Sequence, residues 1–319
     1  MKLKKKFYLN FSSIPELAKK ARNKKKNYKN EELNKLIKLS SSKNFIGVEF
    51  PYFRFFANSK SINYLKNYLE YNNQSYIIDC EKKISKKELK KLILISDQIG
   101  SKFIRIKCSN ILSCERYRYK KKWSVKIQSI VKKIKQIKPL LKKYKIKLAI
   151  ENHQDLDSCD LIDIINIVGK DYVGINFDVG NAFATCEIPI EFLKKTRKYI
   201  LNVHLKDYII LPTNRGYALH KCPIMDGDSQ INKILNLIKR YRLKVPVSIE
   251  LGAKTPREIK VRSKKFYQKF IKEKNNKFEN TDYIMQTANN NFKNIDKLKK
   301  LISLNEINML NKSLKNLNQ

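Results

Sequence analysis

Four side chains that can bind a metal ion recur at the ends of apolar segments in the second half of the chain. Glu151 follows KLAI, Asp178 follows VGINF, His204 follows LNV and Glu250 follows VPVSI. Each is about one strand–helix unit from the next, with a longer loop before the last. Three carboxylates and one imidazole form a hard, oxygen-rich ligand set, which favours Mn²⁺, with Mg²⁺ or Co²⁺ as alternatives, over structural zinc.

Such a site predicts proton transfer next to a carbonyl group. A divalent ion can bind a carbonyl and the neighbouring hydroxyl of a sugar, and this makes the adjacent C–H more acidic. One carboxylate can then remove the proton, and a second carboxylate across the site can return it. Glu151 and Glu250 are the predicted catalytic pair because their strands are well separated in the predicted order.

His153 and Lys206 are predicted to bind substrate, one layer above the metal. Each comes two residues after a predicted ligand, Glu151 or His204, and residues i and i+2 of a strand point to the same face. Such positions let both side chains hold substrate oxygens at the rim.

The loop RGYALHKC supplies two further candidates, since binding residues concentrate in loops. His220 is a candidate rim or lid contact. Arg215 is a candidate contact for a phosphate or carboxylate, with a solvated surface charge as the alternative. Glu49 lies on the second predicted strand, and the sequence leaves open whether it faces the site or packs beside Phe50, Pro51 and Tyr52. Asp207 either caps the next turn or orients Lys206.

The elements that must position these residues alternate between strand and helix. Apolar, β-branched segments read as buried strands, and lysine-rich segments of period 3.6 read as helices. The predicted strands span 7–13, 44–53, 75–80, 102–109, 147–153, 173–181, 201–207 and 245–252. Eight such units are typical of a (β/α)₈ TIM barrel, with an open doubly wound sheet as the alternative.

Particular residues set the predicted helix limits and the domain division. Gly100 ends one helix, Pro139 bends or restarts another, and Pro256 opens the last barrel helix, PREIKVRSKKFYQKFIKEK. The α/β barrel is assigned to residues 1–272. Residues 273–319 form an Asn/Lys-rich helical extension with one amphipathic helix from Ile295, which either packs on the barrel or contacts a partner.

Composition narrows the function classes. The formal net charge is +40, from 69 Lys+Arg against 29 Asp+Glu. Such a field attracts nucleic acid, anionic membranes or phosphorylated substrates. The basic residues are spread over ordinary helices, so nucleic acid is not the expected partner. No apolar segment approaches a membrane span or a signal-peptide core, and six cysteines without a C-x-x-C pair suit a reducing compartment, so a cytoplasmic protein is expected.

Four motifs together resemble the sugar phosphate isomerase/epimerase family of the xylose isomerase-like TIM-barrel superfamily. They are IENH (150–153), NFDVGN (176–181), VHLKD (203–207) and SIE (248–250), with a weaker echo in PIMDGDSQINKIL (223–235). The resemblance implies a metal held by Glu151, Asp178, His204 and Glu250, proton transfer through the two glutamates, and an enediolate-like intermediate. It also places Asn181 with His153 and Lys206 at the substrate.

The resemblance also marks the alternatives. Ketose 3-epimerases of this family often have histidine where this chain has Asn181, and the family includes dehydratases, hydroxypyruvate isomerases and decarboxylases of keto-sugars. The substrate is expected to be a small sugar or sugar phosphate, and a homo-oligomer is expected. An endonuclease IV-like nuclease shares the barrel but needs several zinc ions, and three histidines supply too few ligands. A barrel that only binds is disfavoured by the intact ligand set.

Overall fold

Eight parallel strands close into a barrel in the computed structural model, which describes residues 7–17, 30–51, 59–80, 85–119, 122–252, 255–266, 270 and 277–318. The strands are β1 (Tyr8–Asn10), β2 (Gly47–Pro51), β3 (Ser75–Cys80), β4 (Phe103–Ile106), β5 (Lys147–Glu151), β6 (Val173–Asp178), β7 (Ile200–Leu205) and β10 (Val247–Ile249). Their order around the barrel is β1-β10-β7-β6-β5-β4-β3-β2. Each strand overlaps a predicted strand, with β7 beginning one residue before the predicted limit, and closure confirms the TIM barrel over the open sheet.

Helices between the strands cover the outside of the barrel. They are α1 (Asn30–Ser42), α2 (Ser59–Tyr71), α3 (Lys86–Ile99), α4 (Trp123–Lys135), α5 (Lys138–Tyr144), α6 (Ser158–Val168), α7 (Pro189–Thr196) and α8 (Ile231–Arg240). Gly100 ends α3 with a φ of 74°, in the left-handed region that glycine adopts without strain. Pro139 lies in the first turn of α5, so it restarts the helix as predicted.

A three-stranded antiparallel sheet projects from the carboxyl end of the barrel, and the sequence pattern does not predict it. Its strands are β8 (Tyr208–Thr213), β9 (Gly216–Lys221) and β11 (Arg257–Ile259), in the order β11-β9-β8. The segment predicted as a long loop is thus a hairpin, and Pro256 opens a strand rather than a helix. The helix predicted from Pro256 is wrong because the segment pairs with β9 instead. This pairing buries the Ile259 side chain fully, in the same cluster as Tyr217.

The remainder of that predicted helix is only partly described. Lys264–Phe266 form a short helical turn, α9. Residues 267–269 and 271–276 lie outside the described residues.

The C-terminal segment folds into three helices packed on the rest of the chain: α10 (Lys277–Phe292), α11 (Ile295–Ile302) and α12 (Glu306–Asn316). The single helix predicted from Ile295 is therefore two, because the Asn305 side chain accepts a hydrogen bond from the Asn308 N–H and starts a new helix. Ile284 of α10 packs on the hairpin sheet, and Met309 and Leu310 of α12 lie in the main barrel core. The division between residues 272 and 273 stays a prediction.

Two further features of the described residues concern membrane-spanning helices and the state of the cysteines. No helix in the described ranges is long and apolar enough to cross a membrane. The six cysteines, all within those ranges, are thiols rather than disulfides, and Cys159 is exposed whereas the other five are buried.

Candidate metal centre and active site

The four predicted ligands converge at the carboxyl end of the barrel. Glu151 and Asp178 are the last residues of β5 and β6, His204 lies in β7, and Glu250 directly follows β10. One ligand atom from each of Glu151, Asp178 and His204 lies within 4.8 Å of the others. His204 Nδ1 is 2.7 Å from Glu250 Oε2 and 3.9 Å from the nearest carboxylate oxygens of Glu151 and Asp178.

Glu49 fixes the orientation of the His204 ring. Its Oε1 is 2.7 Å from His204 Nε2, and its Oε2 accepts hydrogen bonds from Asn202, at 3.1 Å, and from the Ser248 hydroxyl. Nδ1 therefore faces the other carboxylates, and despite its closeness to Glu250 it makes no well-aligned hydrogen bond among the described residues. A histidine held through one ring nitrogen by a carboxylate, with the other nitrogen available, is the usual arrangement of a metal-binding imidazole.

The charge balance of the barrel interior fits a divalent cation. Five carboxylates are buried there, those of Glu49, Asp79, Glu151, Asp178 and Glu250. The buried permanent cations that pair with them are Arg105 and Lys206. Although burial opposes the charged form, the surrounding carboxylates raise the pKa of His204 well above its usual range. A bound divalent ion would offset this excess of negative charge, so the residues present suit such an ion.

Lys206 lies between two of the proposed ligands. Its Nζ is 2.5 Å from Asp178 Oδ2 and 2.6 Å from Glu250 Oε1. Burial opposes its charge, but these two carboxylates hold the pKa of Lys206 well above its usual range. The predicted substrate contact is thus also an ion-pair partner of the proposed metal ligands.

Arg105 and Asp79 belong to the same network, although neither is among the site residues predicted from the sequence. The Arg105 guanidinium donates hydrogen bonds to the Glu151 carboxylate through Nε and Nη2. Its Nη1 is 2.5 Å from Asp79 Oδ1. Burial raises the pKa of Glu151, but Arg105, together with His153 and His204, lowers it below its usual value. The sequence does carry a signal for both residues: each is a charged residue inside an apolar predicted strand, SYIIDC or FIRI, where a charge needs a partner.

Asn181 bridges two of the proposed ligands. Its backbone N–H donates to Asp178 Oδ1 at 3.1 Å, and its side-chain amide donates to Glu151 Oε1 at 3.2 Å. Its Oδ1 is buried without a hydrogen-bond partner in the described part of the chain. Asn181 therefore orients Glu151 and Asp178 while keeping one acceptor free.

A cavity of about 360 Å³ opens above these residues. Its walls include Ser12, His153, Lys206, Tyr208, Glu250 and Arg257. Burial lowers the pKa of His153 to about 3, so its imidazole is neutral, and its buried Nδ1 has no hydrogen-bond partner among the residues described. The cavity therefore offers a neutral imidazole and the carboxylate of Glu250, and the imidazole suits the hydroxyl or carbonyl oxygens of a small ligand.

Arg215 and His220 do not line this cavity. Arg215 lies in the β8–β9 turn, where its guanidinium pairs with Glu258 and its side chain is 61% exposed. His220 is paired across the hairpin with Ile209, whose side chain packs against α11 residues such as Leu298. The predicted rim loop is a hairpin, and pairing its two strands turns both side chains away from the cavity.

The chain belongs to the xylose isomerase-like TIM barrel family, because the family model matches residues 76–269, more than half of its length. The two curated relatives match only locally. A 3-oxo-isoapionate decarboxylase of Pectobacterium atrosepticum is 29% identical over 70 residues, 22% of this chain and 26% of that protein. The uncharacterized protein YihM of Escherichia coli is 29% identical over 90 residues, 28% of each chain. The matches thus span about a quarter of each relative.

Solved structures share the fold at low sequence identity. A D-allulose 3-epimerase from Methylomonas sp. superposes with a TM-score of 0.60 at 11% identity, over 91% of this chain and 98% of that one. The probable 3-DHS dehydratase AsbF from Bacillus anthracis gives 0.58 at 13% identity, over 77% and 93%. The IOLI protein, solved with a binding zinc atom, gives 0.55 at 16% identity, over 94% and 100%.

Proposed function

We propose that this protein is a divalent-metal-dependent isomerase or epimerase that transfers a proton next to the carbonyl of a sugar, a sugar phosphate or a keto-acid sugar. The observation that carries the proposal is the convergence of Glu151, Asp178, His204 and Glu250, the last of which lines a cavity of sugar size. Mn²⁺ is the first candidate ion for this oxygen-rich set, with Mg²⁺ or Co²⁺ as alternatives. The allulose epimerase and the zinc-containing structure of similar fold support this class of chemistry.

The proposed mechanism assigns the proton steps to Glu151 and Glu250. When bound, the divalent ion would polarise the substrate carbonyl and make the adjacent C–H more acidic. Arg105 keeps Glu151 ionised and therefore able to accept a proton. His153 holds a substrate oxygen from the cavity wall, and Lys206 and Asn181 keep the carboxylates in place.

A lyase acting on a keto-sugar is the second candidate. The local similarity to a 3-oxo-isoapionate decarboxylase favours it, and the fold of the AsbF dehydratase is similar. Loss of carbon dioxide or water next to a carbonyl uses the same stabilised enediolate-like species as proton transfer. Product analysis therefore separates the two candidates, since the arrangement of the ligands suits both.

A multinuclear zinc nuclease receives less support. Within the described ranges, the potential ligands form one close group, Glu151, Asp178 and His204. His153 and His220 are the remaining histidines of the chain, and His220 lies on a different sheet face. A site with several zinc ions needs more ligands than this group provides.

Proton exchange with solvent is the decisive measurement. Purified protein would be assayed for metal content and then incubated with keto-sugars, sugar phosphates and keto-sugar acids in D₂O, with products followed by NMR. We expect deuterium to enter the carbon next to the carbonyl, and Glu151→Gln to slow this step at least about 100-fold, as expected when a positioned base is lost. Glu187→Gln is the matched control. The Glu187 carboxylate accepts hydrogen bonds from the hydroxyl groups of Ser158 and Thr185.

Three results would contradict the proposal. They are a protein that binds no divalent ion, full exchange activity in Glu151→Gln, and nicking of DNA containing an abasic site without any exchange on sugars. Release of carbon dioxide or water would instead select the lyase.

A further inference from the structure

The cavity wall contains an arginine that the proposed proton-transfer chemistry does not use. Arg257 lies on β11, the short strand that joins the hairpin sheet at the mouth of the barrel. Its Nε is buried and has no hydrogen-bond partner among the described residues. Because a donor buried without a partner is costly, this N–H calls for an acceptor, and the charge of the half-buried guanidinium favours an anionic one.

Strand alternation explains why Arg257 faces the cavity. Successive side chains of a strand point to opposite faces. Glu258 points to the face away from the cavity, where it pairs with Arg215 and accepts a hydrogen bond from the Thr213 hydroxyl at 3.0 Å. Arg257 shares the other face with Ile259, which packs in the same cluster as Tyr208, itself a wall of the cavity.

The buried arginines of the described chain already have carboxylate partners. Arg105 pairs with Asp79 and Glu151, and Arg116 pairs with Asp160 at 2.6 Å. Arg257 instead faces a cavity that also exposes Lys206 and neutral His153. Lys206 is neutralised by Asp178 and Glu250, so the guanidinium is the cation left for a ligand.

We propose that Arg257 binds an anionic group of the substrate, a carboxylate or a phosphate, at the end of the molecule away from the proposed metal centre. A guanidinium can bond either group through two parallel N–H donors. Glu250 and Arg257 line the same cavity, and its volume of about 360 Å³ suits one sugar unit, so a single small molecule contacts both. This inference rests on the proposed function and narrows its substrate class to acidic keto-sugars.

The test compares ligands that differ in one group. D-fructose, D-fructose 6-phosphate and D-fructuronate share a ketohexose skeleton and carry a hydroxyl, a phosphate or a carboxylate at the sixth carbon. The same comparison is made with D-ribulose and its 5-phosphate. Binding to the full-length protein is measured by calorimetry, which needs no turnover. We expect at least one anionic ligand to bind more tightly than its neutral counterpart, and Arg257→Gln to remove about 10- to 100-fold of that affinity.

Three further arginine variants complete the design. Arg262→Gln removes an exposed charge five residues away and controls for the loss of net charge. Arg215→Gln tests the arginine that the sequence suggested as the anion contact. Both variants are expected to keep the wild-type preference, whereas Arg257→Lys is expected to keep only part of it, because lysine lacks the planar donor pair.

The proposal is overturned if no anionic ligand binds the wild-type protein, if Arg257→Gln keeps the preference, or if Arg215→Gln or Arg262→Gln loses it equally. Preference for the carboxylate over the phosphate, or the reverse, identifies which anion the site takes. Loss of proton exchange with an intact anion preference would instead overturn the proposed reaction while leaving the role of Arg257 standing.

Discussion

His204 contacts carboxylates through both of its ring nitrogens, and the two contacts differ. Glu49 is surrounded by donors from Asn202 and Ser248, so its position is fixed by the barrel strands. Glu250 faces the cavity, and its Oε2 has no well-aligned hydrogen bond among the described residues. Glu49 therefore orients the imidazole, whereas Glu250 can exchange its contact for a metal ion.

Replacing Glu49 by glutamine tests this orienting role. The amide side chain would keep the shape of the carboxylate but lose the negative charge that holds His204 Nε2–H. We expect Glu49→Gln to weaken binding of a divalent ion about 10- to 100-fold, the usual effect of losing such a supporting carboxylate. Titration with Mn²⁺ against a competing chelator gives the dissociation constant, and unchanged affinity would show that the His204 ring is fixed by packing alone.

At the scale of elements, Asp228 joins the hairpin sheet to the C-terminal helices. Its Oδ2 accepts hydrogen bonds from the Ile210 N–H at 2.8 Å and from the Asn291 side chain of α10 at 2.7 Å. Burial raises the pKa of Asp228 from its ordinary 3.8 to about 6, although these two donors favour the charged form. The ionised Asp228 carboxylate therefore lowers the stability of the folded protein at neutral pH, although it connects the hairpin sheet to α10.

The sign of the resulting pH dependence follows from proton binding. Between about pH 4 and pH 6 the folded protein keeps a proton on Asp228 that the unfolded chain has lost, so the stabilisation by this proton falls as pH rises. Asp228→Asn cannot ionise and keeps an oxygen acceptor for both donors. Relative to wild type, we expect its free energy of unfolding to rise by about 1–3 kcal/mol from pH 4 to pH 7.

Urea unfolding at several pH values measures this difference. Asp296→Asn is the control, because the Asp296 side chain is 91% exposed. Its free energy of unfolding should follow that of the wild type at every pH. A constant difference between Asp228→Asn and wild type across the range would show that the carboxyl titrates normally.

The elements that the sequence predicted are those whose pattern is local. Parallel strands buried on both faces read as continuous apolar segments, and their polar ends brought Glu151, Asp178, His204 and Glu250 into view. Arg257 was not predicted as a site residue because Pro256 before it resembles a helix start. Pairing with β9 makes the segment a strand instead. Arg105 and Glu49 could not be assigned because their partners, Glu151 and His204, lie 46 and 155 residues away along the chain.

At the scale of the whole molecule, an acidic interior lies inside a strongly basic chain. The net charge is +40, while five carboxylates are gathered in the barrel. A positive field over the whole chain accelerates the approach of anionic ligands, and this effect weakens as salt increases. Arg257 at the cavity would then give a local reason for binding the acidic sugars that the field attracts.

The C-terminal helices contribute to the same core as the barrel. The Glu306 carboxylate accepts hydrogen bonds from the backbone N–H groups of Glu16, at 2.8 Å, and Leu17, at 3.4 Å. The Ser313 hydroxyl accepts a hydrogen bond from the Ile224 N–H at 3.0 Å. Met309 is fully buried in the cluster that contains the barrel strands. These contacts join the extension to the barrel at residues far apart in the chain.

Met309→Ala shows whether this extension unfolds together with the barrel. Because the side chain is fully buried, we expect the free energy of unfolding to fall by about 2–5 kcal/mol. Since α12 and the barrel share one core, the whole loss should appear in a single transition seen alike by circular dichroism and by tryptophan fluorescence from Trp123 on α4. Lys315→Ala, an exposed change on the same helix, should leave stability within about 0.5 kcal/mol of wild type. A variant in which only a separate, lower-temperature transition moves, with the signal of Trp123 unchanged, would instead establish residues 273–319 as an independently folding unit.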